Sequence, residues 1–349
     1  MEWDNLKKMK YRRLISLSFL LICTLSLLAK VRVLSVCVGS YPKESGWSNL
    51  SSINDNYSIL DTYPEAVSLL DAEATYEAIT SELGKLCKIV NIGDTIIVHF
   101  SGHGQQILTL TSGTEADLVD EAIVPYNALK HKNSSYSGEK HLTDDLFGSY
   151  ISKIRKKVNK SGLVIAVIDA CHSNSMDKDT DNSEDIYRGT DEIFGAESLS
   201  PDSIVAIRDR YFTNDNTPVI SSENMATAIF IGACGTHQRN YEIKIDGVGH
   251  GSLSYYFCQT VKEKGIADIN VFLSSLYSSM TEDATMRFHG QRPNIRTSFG
   301  WKAPELPRYI PTPTAPLVVE ESSAWRLWFF ISIGLILLFI SVVVWKKKK

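Results

Sequence analysis

Short, nearly uninterrupted apolar runs recur along the 349-residue chain and restrict its fold more than any other feature. Four of them read VRVLSVCVGSY, TIIVHF, LVIAVIDA and TAIFIGAC, at residues 31–41, 95–100, 163–170 and 227–234. A fifth run, AVSLL, occupies 66–70. Runs of this length and composition are typical of strands that a parallel sheet buries on both faces. The chain is therefore expected to build a buried sheet.

The segments between these runs carry a helical pattern, clearest in 71–86 and 142–162. The apolar stripes consist of Ile79, Leu83 and Leu86 in the first segment and of Phe147, Ile151, Ile154 and Val158 in the second. In the second helix Thr143 suits the N-cap and Gly162 the stop. Strands that alternate with helices predict an α/β fold, in which a mostly parallel sheet carries helices on both faces.

Two of the strands end in residues that suit nucleophilic catalysis. HFSGHG (99–104) places His103 between two glycines, and DACHS (169–173) places Cys171 directly after a buried strand. Because ligands of an open parallel sheet bind beyond the carboxyl ends of its strands, the two side chains are expected to face each other. An imidazole beside a thiol makes the thiolate available or supplies a proton to the leaving amine. The backbone N–H groups of Gly104 and Cys171 are candidates for an oxyanion hole.

HFSGHG and DACHS, each at the end of a buried strand, resemble the motifs of the caspase-like cysteine peptidases, specifically of the metacaspase and bacterial orthocaspase branch. The resemblance extends from about Val31 to Arg296 and includes LSSINDNYSI, LLDAEATYEAI, EADLVDEAIVPYN and GVGHGSLSYYF. It implies the caspase–hemoglobinase fold and endopeptidase activity on proteins or peptides. It also implies that His103 and Cys171 form the catalytic dyad and that no cofactor is required.

The same resemblance implies which bond is cut. Metacaspases read Arg or Lys before the scissile bond with acidic groups, and the matching residues here are Asp55, Ser101 and Asp169. A carboxylate at the floor of such a pocket pairs with a guanidinium in a charge-assisted bond. Asp55 also suits the first turn of a helix, and Asp169 also suits a cap at the end of a strand.

Calcium binding is a further implication to which the sequence offers an alternative. Asp144 and Asp145 match an acidic pair that binds calcium in some metacaspases, with Asp117 or Asp120 as candidate companions. Acidic residues in the first turn of a helix explain the same pair without a metal. In addition, Lys178 occupies a position after the cysteine at which the family has an acidic residue.

Residues 176–202 contain nine acidic residues against Lys178 and Arg188. They have no sustained apolar period, which predicts a solvated, mobile loop. Within it, IYRGTD sets Arg188 before Gly189 a short distance from Cys171, so an enzyme that prefers Arg is expected to cut itself there. We favour this interpretation over a loop that plugs the pocket, because an acidic loop and an acidic pocket repel each other.

Both ends of the chain combine apolar and basic segments. KKMKYRR followed by Leu14–Ala29 suits a signal peptide or signal anchor over 1–29. Leu327–Trp345 is an uncharged run that spans about 28 Å as a helix, close to the thickness of a bilayer core. Tryptophans flank it and Lys346–Lys349 follow it, so 325–349 is expected to be a transmembrane helix with a basic tail.

Between these ends we expect a peptidase domain over 30–302 and a Pro-rich linker over 303–324. The positive-inside rule places both basic flanks in the cytoplasm and the domain outside it. The net charge of −4 gives no electrostatic reason to expect a nucleic-acid partner. The six cysteines lack the paired spacing of a zinc site, so no metal site is predicted from them.

Two other functions compete with an endopeptidase of this specificity. One is a legumain-like or transpeptidase-like cysteine enzyme, which the residues of the SGHG and DACHS motifs disfavour. The other is a membrane scaffold that uses a caspase-like module for binding. The presence of both His103 and Cys171 argues against a scaffold.

Overall fold

The apolar runs form five neighbouring strands of a six-stranded sheet, in a computed structural model that describes residues 29–108, 119–171, 186–197, 199–212, 219–235 and 238–305. In chain order the strands are β1 (Val31–Cys37), β2 (Val67–Leu70), β3 (Thr95–Ser101), β4 (Gly104–Leu108), β5 (Val119–Ile123), β6 (Leu142–Thr143), β7 (Leu163–Asp169), β8 (Thr227–Gly232), β9 (Glu242–Ile245), β10 (Val248–Gly251) and β11 (Asn294–Thr297). The helices are α1 (Ser52–Thr62), α2 (Tyr76–Ile89), α3 (Asp144–Val158), α4 (Pro201–Phe212), α5 (Ser252–Lys264), α6 (Ile269–Glu282) and α7 (Ala284–Phe288). Contacts divide the chain into one unit over Met1–Pro304 and another over Glu305–Lys349, and all these elements belong to the first.

The order of the strands across the large sheet is β11-β8-β7-β3-β1-β2. All neighbours are parallel except β11, which runs antiparallel to β8. The predicted mixed α/β fold with a mostly parallel sheet is therefore confirmed. Strands β4, β5 and β6 form a separate antiparallel sheet, and β9 and β10 form a hairpin.

Helices cover both faces of the large sheet. On one face, α2 and α3 pack against the strands in a cluster that includes Leu83, Ile154, Leu34, Val98 and Val164. On the other face, α1, α5 and α6 contribute to a second cluster that includes Ile59, Phe257, Leu273, Ile97 and Ile165. Because adjacent residues of a strand point to opposite faces, Ile97 and Val98 serve different clusters and the runs are apolar throughout.

Two local predictions are wrong and one is confirmed. The run at 66–70 was expected to be buried on both faces, but β2 lies at the edge of the sheet and Val67 is 48% exposed. The prediction for Thr143 is confirmed, because Thr143 is the N-cap of α3, although its side chain makes no cap hydrogen bond. The helix ends at Val158, before the predicted stop at Gly162, since Asn159 already adopts a φ of 65°.

Within the described ranges, no helix has both the length and the apolar character that a membrane crossing requires. The predicted membrane helix over 325–349 lies outside these ranges, and so does the predicted signal segment apart from Ala29. Both stay predictions.

Candidate active site

The loops with His103 and Cys171 leave the same edge of the sheet from neighbouring strands. Ser101 at the end of β3 is the register partner of Asp169 at the end of β7, and the Gly102 N–H donates to the Asp169 carbonyl at 3.2 Å. His103 is 1% exposed and Cys171 is 0% exposed. The expected adjacency of the two strands is confirmed, and it brings both loops to one end of the sheet.

His103 is fixed by three neighbours. Its Nε2 lies 2.9 Å from the Ser48 carbonyl oxygen, and its ring stacks on Trp47 with centroids 4.8 Å apart. The Tyr41 hydroxyl accepts a bond from the His103 N–H at 3.0 Å. Since a carbonyl only accepts hydrogen bonds, Nε2 carries the proton and Nδ1 holds the lone pair. Nδ1 is buried and has no hydrogen-bond partner among the described residues.

Burial lowers the pKa of His103 to about 3, against a weaker opposing effect of the Ser48 carbonyl. The imidazole is therefore neutral near pH 7. Nδ1 of the neutral imidazole can accept a proton, but the burial that lowers the pKa also makes it a weaker base than an exposed histidine.

The two N–H groups expected to form an oxyanion hole donate to one carbonyl oxygen. The Cys171 N–H lies 2.8 Å and the Gly104 N–H 3.3 Å from the carbonyl oxygen of Arg188. Gly189 follows so closely that a Cβ at this position would overlap the main chain of Cys171. The Arg188–Gly189 peptide bond thus lies beside Cys171, with its carbonyl held by two preorganised donors.

The side chain of Arg188 is completely buried in an acidic pocket. Its Nη1 donates to the Ser101 hydroxyl at 2.6 Å, and its Nη2 lies 2.9 Å from carboxylate oxygens of both Asp55 and Glu242. Burial alone lowers the pKa of Arg188, but the charges of Asp55, Asp169 and Glu242 outweigh burial and raise it. A cation in this pocket is therefore permanent.

Asp55 lies in the first turn of α1 and is the centre of the pocket. It accepts hydrogen bonds from the Ser101 hydroxyl at 2.7 Å and from the Gly251 N–H at 2.9 Å. Burial raises its pKa, but Arg188 and these hydrogen bonds together lower the pKa below its ordinary value. Asp55 is therefore held as a carboxylate.

Asp169 contributes to the pocket differently from Asp55. Its carboxylate accepts bonds from the Asn240 amide and from both the N–H and the hydroxyl of Ser254, each at 2.7 Å. A Cβ at Gly251 would overlap both Asp169 and Arg188, so only glycine allows this approach. Asp169 adds negative charge near the guanidinium while its own oxygens are bound by neighbours.

Several residues of this site were not predicted from the sequence, above all Glu242. Glu242 begins β9 and had no signal in the sequence, because it reaches the pocket only through the β9–β10 hairpin. Gly251 and Ser254 lie within GVGHGSLSYYF, which carried the family resemblance without an assigned role. His99, in HFSGHG, bridges the hydroxyls of Ser35 and Ser254 at 3.0 and 2.9 Å and so supports Asp169 through Ser254.

The prediction of a solvated loop over 176–202 is wrong for the part that the structure describes. Arg188, Ile193 and Phe194 are 0%, 6% and 2% exposed. Two of the acidic residues here are paired, Asp191 with Arg239 at 2.6 Å and Glu192 with Lys130 at 3.4 Å, so their charge does not keep the segment in solvent. Residues 172–185 lie outside the described ranges.

Asp144 has an unusual electrostatic environment. Burial first, and then the charges of Glu121, Asp120 and Asp145, raise the pKa of Asp144 to about 7. In the described part of the chain no group of three His, Cys, Asp or Glu side chains is placed to hold a metal ion. Asp117 and Lys178 lie outside it, so calcium binding stays a prediction.

Comparisons with known proteins agree with the fold and the motifs. Residues 48–178 match the family model for the metacaspase, peptidase C14 domain. None of the curated proteins matches the sequence significantly. The crystal structure of protein GSU0716 from Geobacter sulfurreducens is similar in fold, with a TM-score of 0.52 and 20% identity over 78% of this chain and 95% of that chain. Residues 48–178, which contain both HFSGHG and DACHS, are thus similar to the metacaspase, peptidase C14 domain, and the solved structure agrees with the mixed α/β fold.

Proposed function

We propose that the protein is an endopeptidase that cuts after Arg or Lys with Cys171 and His103, and that the first bond it cuts is its own Arg188–Gly189. One observation carries this proposal. The chain's own arginine occupies the acidic pocket while its carbonyl accepts from Gly104 and Cys171. A substrate bound for attack on the bond after an arginine has this arrangement.

The proposed chemistry uses Cys171 as the nucleophile and His103 as the base. Nδ1 of His103 takes the proton of the Cys171 thiol, and the thiolate attacks the carbonyl carbon of Arg188. The negative oxygen is stabilised by the N–H groups of Gly104 and Cys171. The imidazolium returns its proton to the nitrogen of Gly189, the C–N bond breaks, and a thioester remains on Cys171. Water then hydrolyses the thioester, which releases the new carboxylate and restores the thiol.

The acidic pocket supports the proposed preference for a basic residue before the cut. A buried carboxylate in place of the guanidinium would face Asp55 and Glu242 unpaired, which costs several kcal/mol. Lysine keeps the charge but cannot contact Ser101, Asp55 and Glu242 with a planar fork. Arg is therefore expected to be cut faster than Lys, and Asp not at all.

The same arrangement implies that the uncut protein inhibits itself. Arg188 fills the pocket and its carbonyl fills the oxyanion hole, so an external substrate cannot bind until Arg188 leaves. After cleavage Arg188 is the last residue of its fragment, so it can leave the pocket. The acidic pocket is thus blocked by an arginine of opposite charge and not by an acidic loop.

The membrane and calcium predictions complete the proposal. A transmembrane helix over 325–349 would hold the peptidase domain on the extracytoplasmic side of a membrane, where its substrates would be found. Protease added to intact cells should then degrade the domain, and protection until the cells are lysed would contradict this topology. Calcium, if bound, is expected at Asp144, whose raised pKa it would lower.

The activity can be tested with the full-length protein and peptides that release a fluorophore after Arg, Lys or Asp. We expect cleavage after Arg, slower cleavage after Lys and none after Asp. Cys171→Ala and His103→Ala should each lose activity by a factor on the order of 10⁴ or more, because the two groups act as a unit. The matched control Cys87→Ala, in helix α2, should keep it.

Each of the other outcomes would replace the proposal. Cleavage after a different residue type would favour a legumain-like specificity. A transpeptidase-like enzyme would instead join the acyl group to an added amine. No cleavage of any peptide by self-processed protein would favour a scaffold.

A further inference from the structure

Arg239 contacts the chain on both sides of the Arg188–Gly189 bond. Its guanidinium carbon lies 4.8 Å from the centroid of the Tyr187 ring, over the residue just before Arg188. Its Nη2 lies 2.6 Å from the carboxylate of Asp191, the third residue after the bond. Arg239 is 6% exposed, whereas the side chain of Asp191 is 29% exposed, so the ion pair is partly open to solvent.

The position of Arg239 is fixed by the strand that binds the residues before the cut. Residues 186–188 lie antiparallel to 240–242, with Arg188 N–H donating to the Asn240 carbonyl and Glu242 N–H to the Ile186 carbonyl, both at 2.8 Å. Arg239 directly precedes this strand, beyond the end that faces the scissile bond. It is therefore a neighbour of any extended peptide that binds in place of 186–188.

The site of the Tyr187 side chain suits an aromatic ring. Tyr187 packs against a small apolar cluster of Tyr241, Ile243 and Met286, and its ring lies 6.3 Å from the ring of Tyr241. A cation over an aromatic face binds it through the ring quadrupole, and the attraction strengthens when water is excluded. A smaller side chain at this position would lose both the packing and the cation–π contact.

We propose that Arg239 is a specificity-determining residue that selects an aromatic side chain just before the cleaved Arg and a carboxylate three residues after the bond. The preferred substrates are thus peptide segments of the pattern aromatic–Arg–Gly–any–acidic. The inference rests on the proposed function, because it names the substrate class of the same site. It adds determinants on both sides of the bond that the acidic pocket does not supply.

The test uses the self-cleaved full-length protein and internally quenched peptides of the sequence Ile-Tyr-Arg-Gly-Thr-Asp-Glu, which copies residues 186–192. Replacing the peptide's Tyr by Ala should lower kcat/KM about tenfold. Replacing its Asp by Asn should lower kcat/KM about threefold, as expected for a partly exposed ion pair. In Arg239→Gln both differences should shrink toward one, whereas Arg239→Lys should keep part of each.

Arg292→Gln is the matched control, because Arg292 is exposed and its side chain has no contact with the bound segment in the described structure. It should leave both peptide preferences as in the wild type. A peptide with Asp in place of the cleaved Arg tests the requirement for a basic residue separately from the preferences assigned to Arg239. If no Arg peptide is cut, the proposed function fails; if Arg peptides are cut without regard to the preceding residue, only this inference fails.

Preferences that persist unchanged in Arg239→Gln would overturn the assignment to Arg239. If that variant does not fold, the wild-type comparison of the Tyr and Ala peptides together with Arg239→Lys still decides the matter. Equal rates for these two peptides in the wild type would overturn the inference without any variant.

Discussion

The chain is held by different forces on the two sides of the Arg188–Gly189 bond. Before the bond, Ile186 is exposed, and docking depends on short antiparallel pairing and on the charges around Arg188. After the bond, Ile193 and Phe194 are buried, and Phe194 pairs with Gln106 and Leu108 of β4. The first side resembles a bound ligand, and the second resembles a part of the core.

Phe194 shows how the second side is built into the fold. Its ring lies edge-on to Tyr136 with centroids 5.6 Å apart and 4.8 Å from the ring of His141. His141 in turn bonds Tyr136 and Gln105, whose amide donates to the Glu192 carbonyl at 3.3 Å. Cleavage should therefore release the segment that ends at Arg188, while Ile193 and Phe194 stay docked.

The largest effect is expected from Asp55→Asn, which removes a charge that faces the buried guanidinium. Removing one partner of a buried ion pair costs about 3–5 kcal/mol, which corresponds to a loss of roughly 10²- to 10⁴-fold in kcat/KM. Self-cleavage after Arg188 should slow as much, while Phe194 stays docked. Rates with Arg peptides measure this, and Asp61→Asn, at an exposed position of the same helix, is the control.

If Asp55→Asn cut Arg peptides as fast as the wild type, the acidic pocket would not be the binding site for the cation. A melting curve of the variant shows whether lost activity reflects lost folding.

The docking of the segment after the bond is tested by Phe194→Ala. Deleting a buried phenylalanine ring leaves a cavity and should lower the free energy of unfolding by about 3–5 kcal/mol, measured by urea denaturation. Phe288→Ala, which removes an exposed ring, should change it little. An equally small change in both variants would mean that the downstream segment is docked as loosely as the upstream one.

Glu242→Gln should have a smaller effect than Asp55→Asn. The amide oxygen of Gln can still accept the Ser51 N–H, and Asp55 still pairs with the guanidinium, so about a tenfold loss in kcat/KM is expected. Assays with Arg and Lys peptides measure it, with the exposed Glu263→Gln as control. A loss as large as that of Asp55→Asn would give the two carboxylates equal roles.

In the inactive Cys171→Ala protein, acid should release the segment before the bond at a higher pH than the segment after it. The pKa of Asp55 is held below its ordinary value, so its contribution to docking is present above that value and is lost as the pH falls through the folded pKa. Protection of the Arg188 amide from hydrogen exchange should fall at a higher pH than that of the Phe194 amide. Loss of protection at both amides at the same pH would contradict the claim that only the segment before the bond is held by charge.

Protonation of buried histidines should also lower the stability of the whole fold as the pH falls. The pKa of His103 is lowered to about 3, so the unfolded chain binds a proton first as the pH falls. The stability that a neutral His103 provides is present above the ordinary histidine pKa and declines below it. The whole fold should therefore weaken in acid, which makes the difference between the two amides the informative quantity.

What the sequence predicted well was local. The apolar runs and the residues at their ends placed His103 and Cys171 at one edge of a parallel sheet, because strand pattern and parallel topology follow from short segments. Asp55, Ser101 and Asp169 were placed by resemblance to a family, and two of the three touch the Arg188 side chain directly.

What the sequence did not predict depends on contacts between distant segments. Glu242 enters the pocket through a hairpin, and Phe194 is buried against Tyr136 and His141 from another part of the chain. The acidic composition of 176–202 concealed this, because composition does not reveal that Asp191 and Glu192 have cationic partners.

The most direct test of the account is the identity of the chain termini after incubation of the full-length protein. N-terminal sequencing and mass spectrometry should find a fragment that begins at Gly189 and a complementary fragment that ends at Arg188. Neither should form in Cys171→Ala. Active wild-type protein that stays intact between Arg188 and Gly189, or an equal cut in Cys171→Ala, would contradict the central claim that this bond is bound for attack.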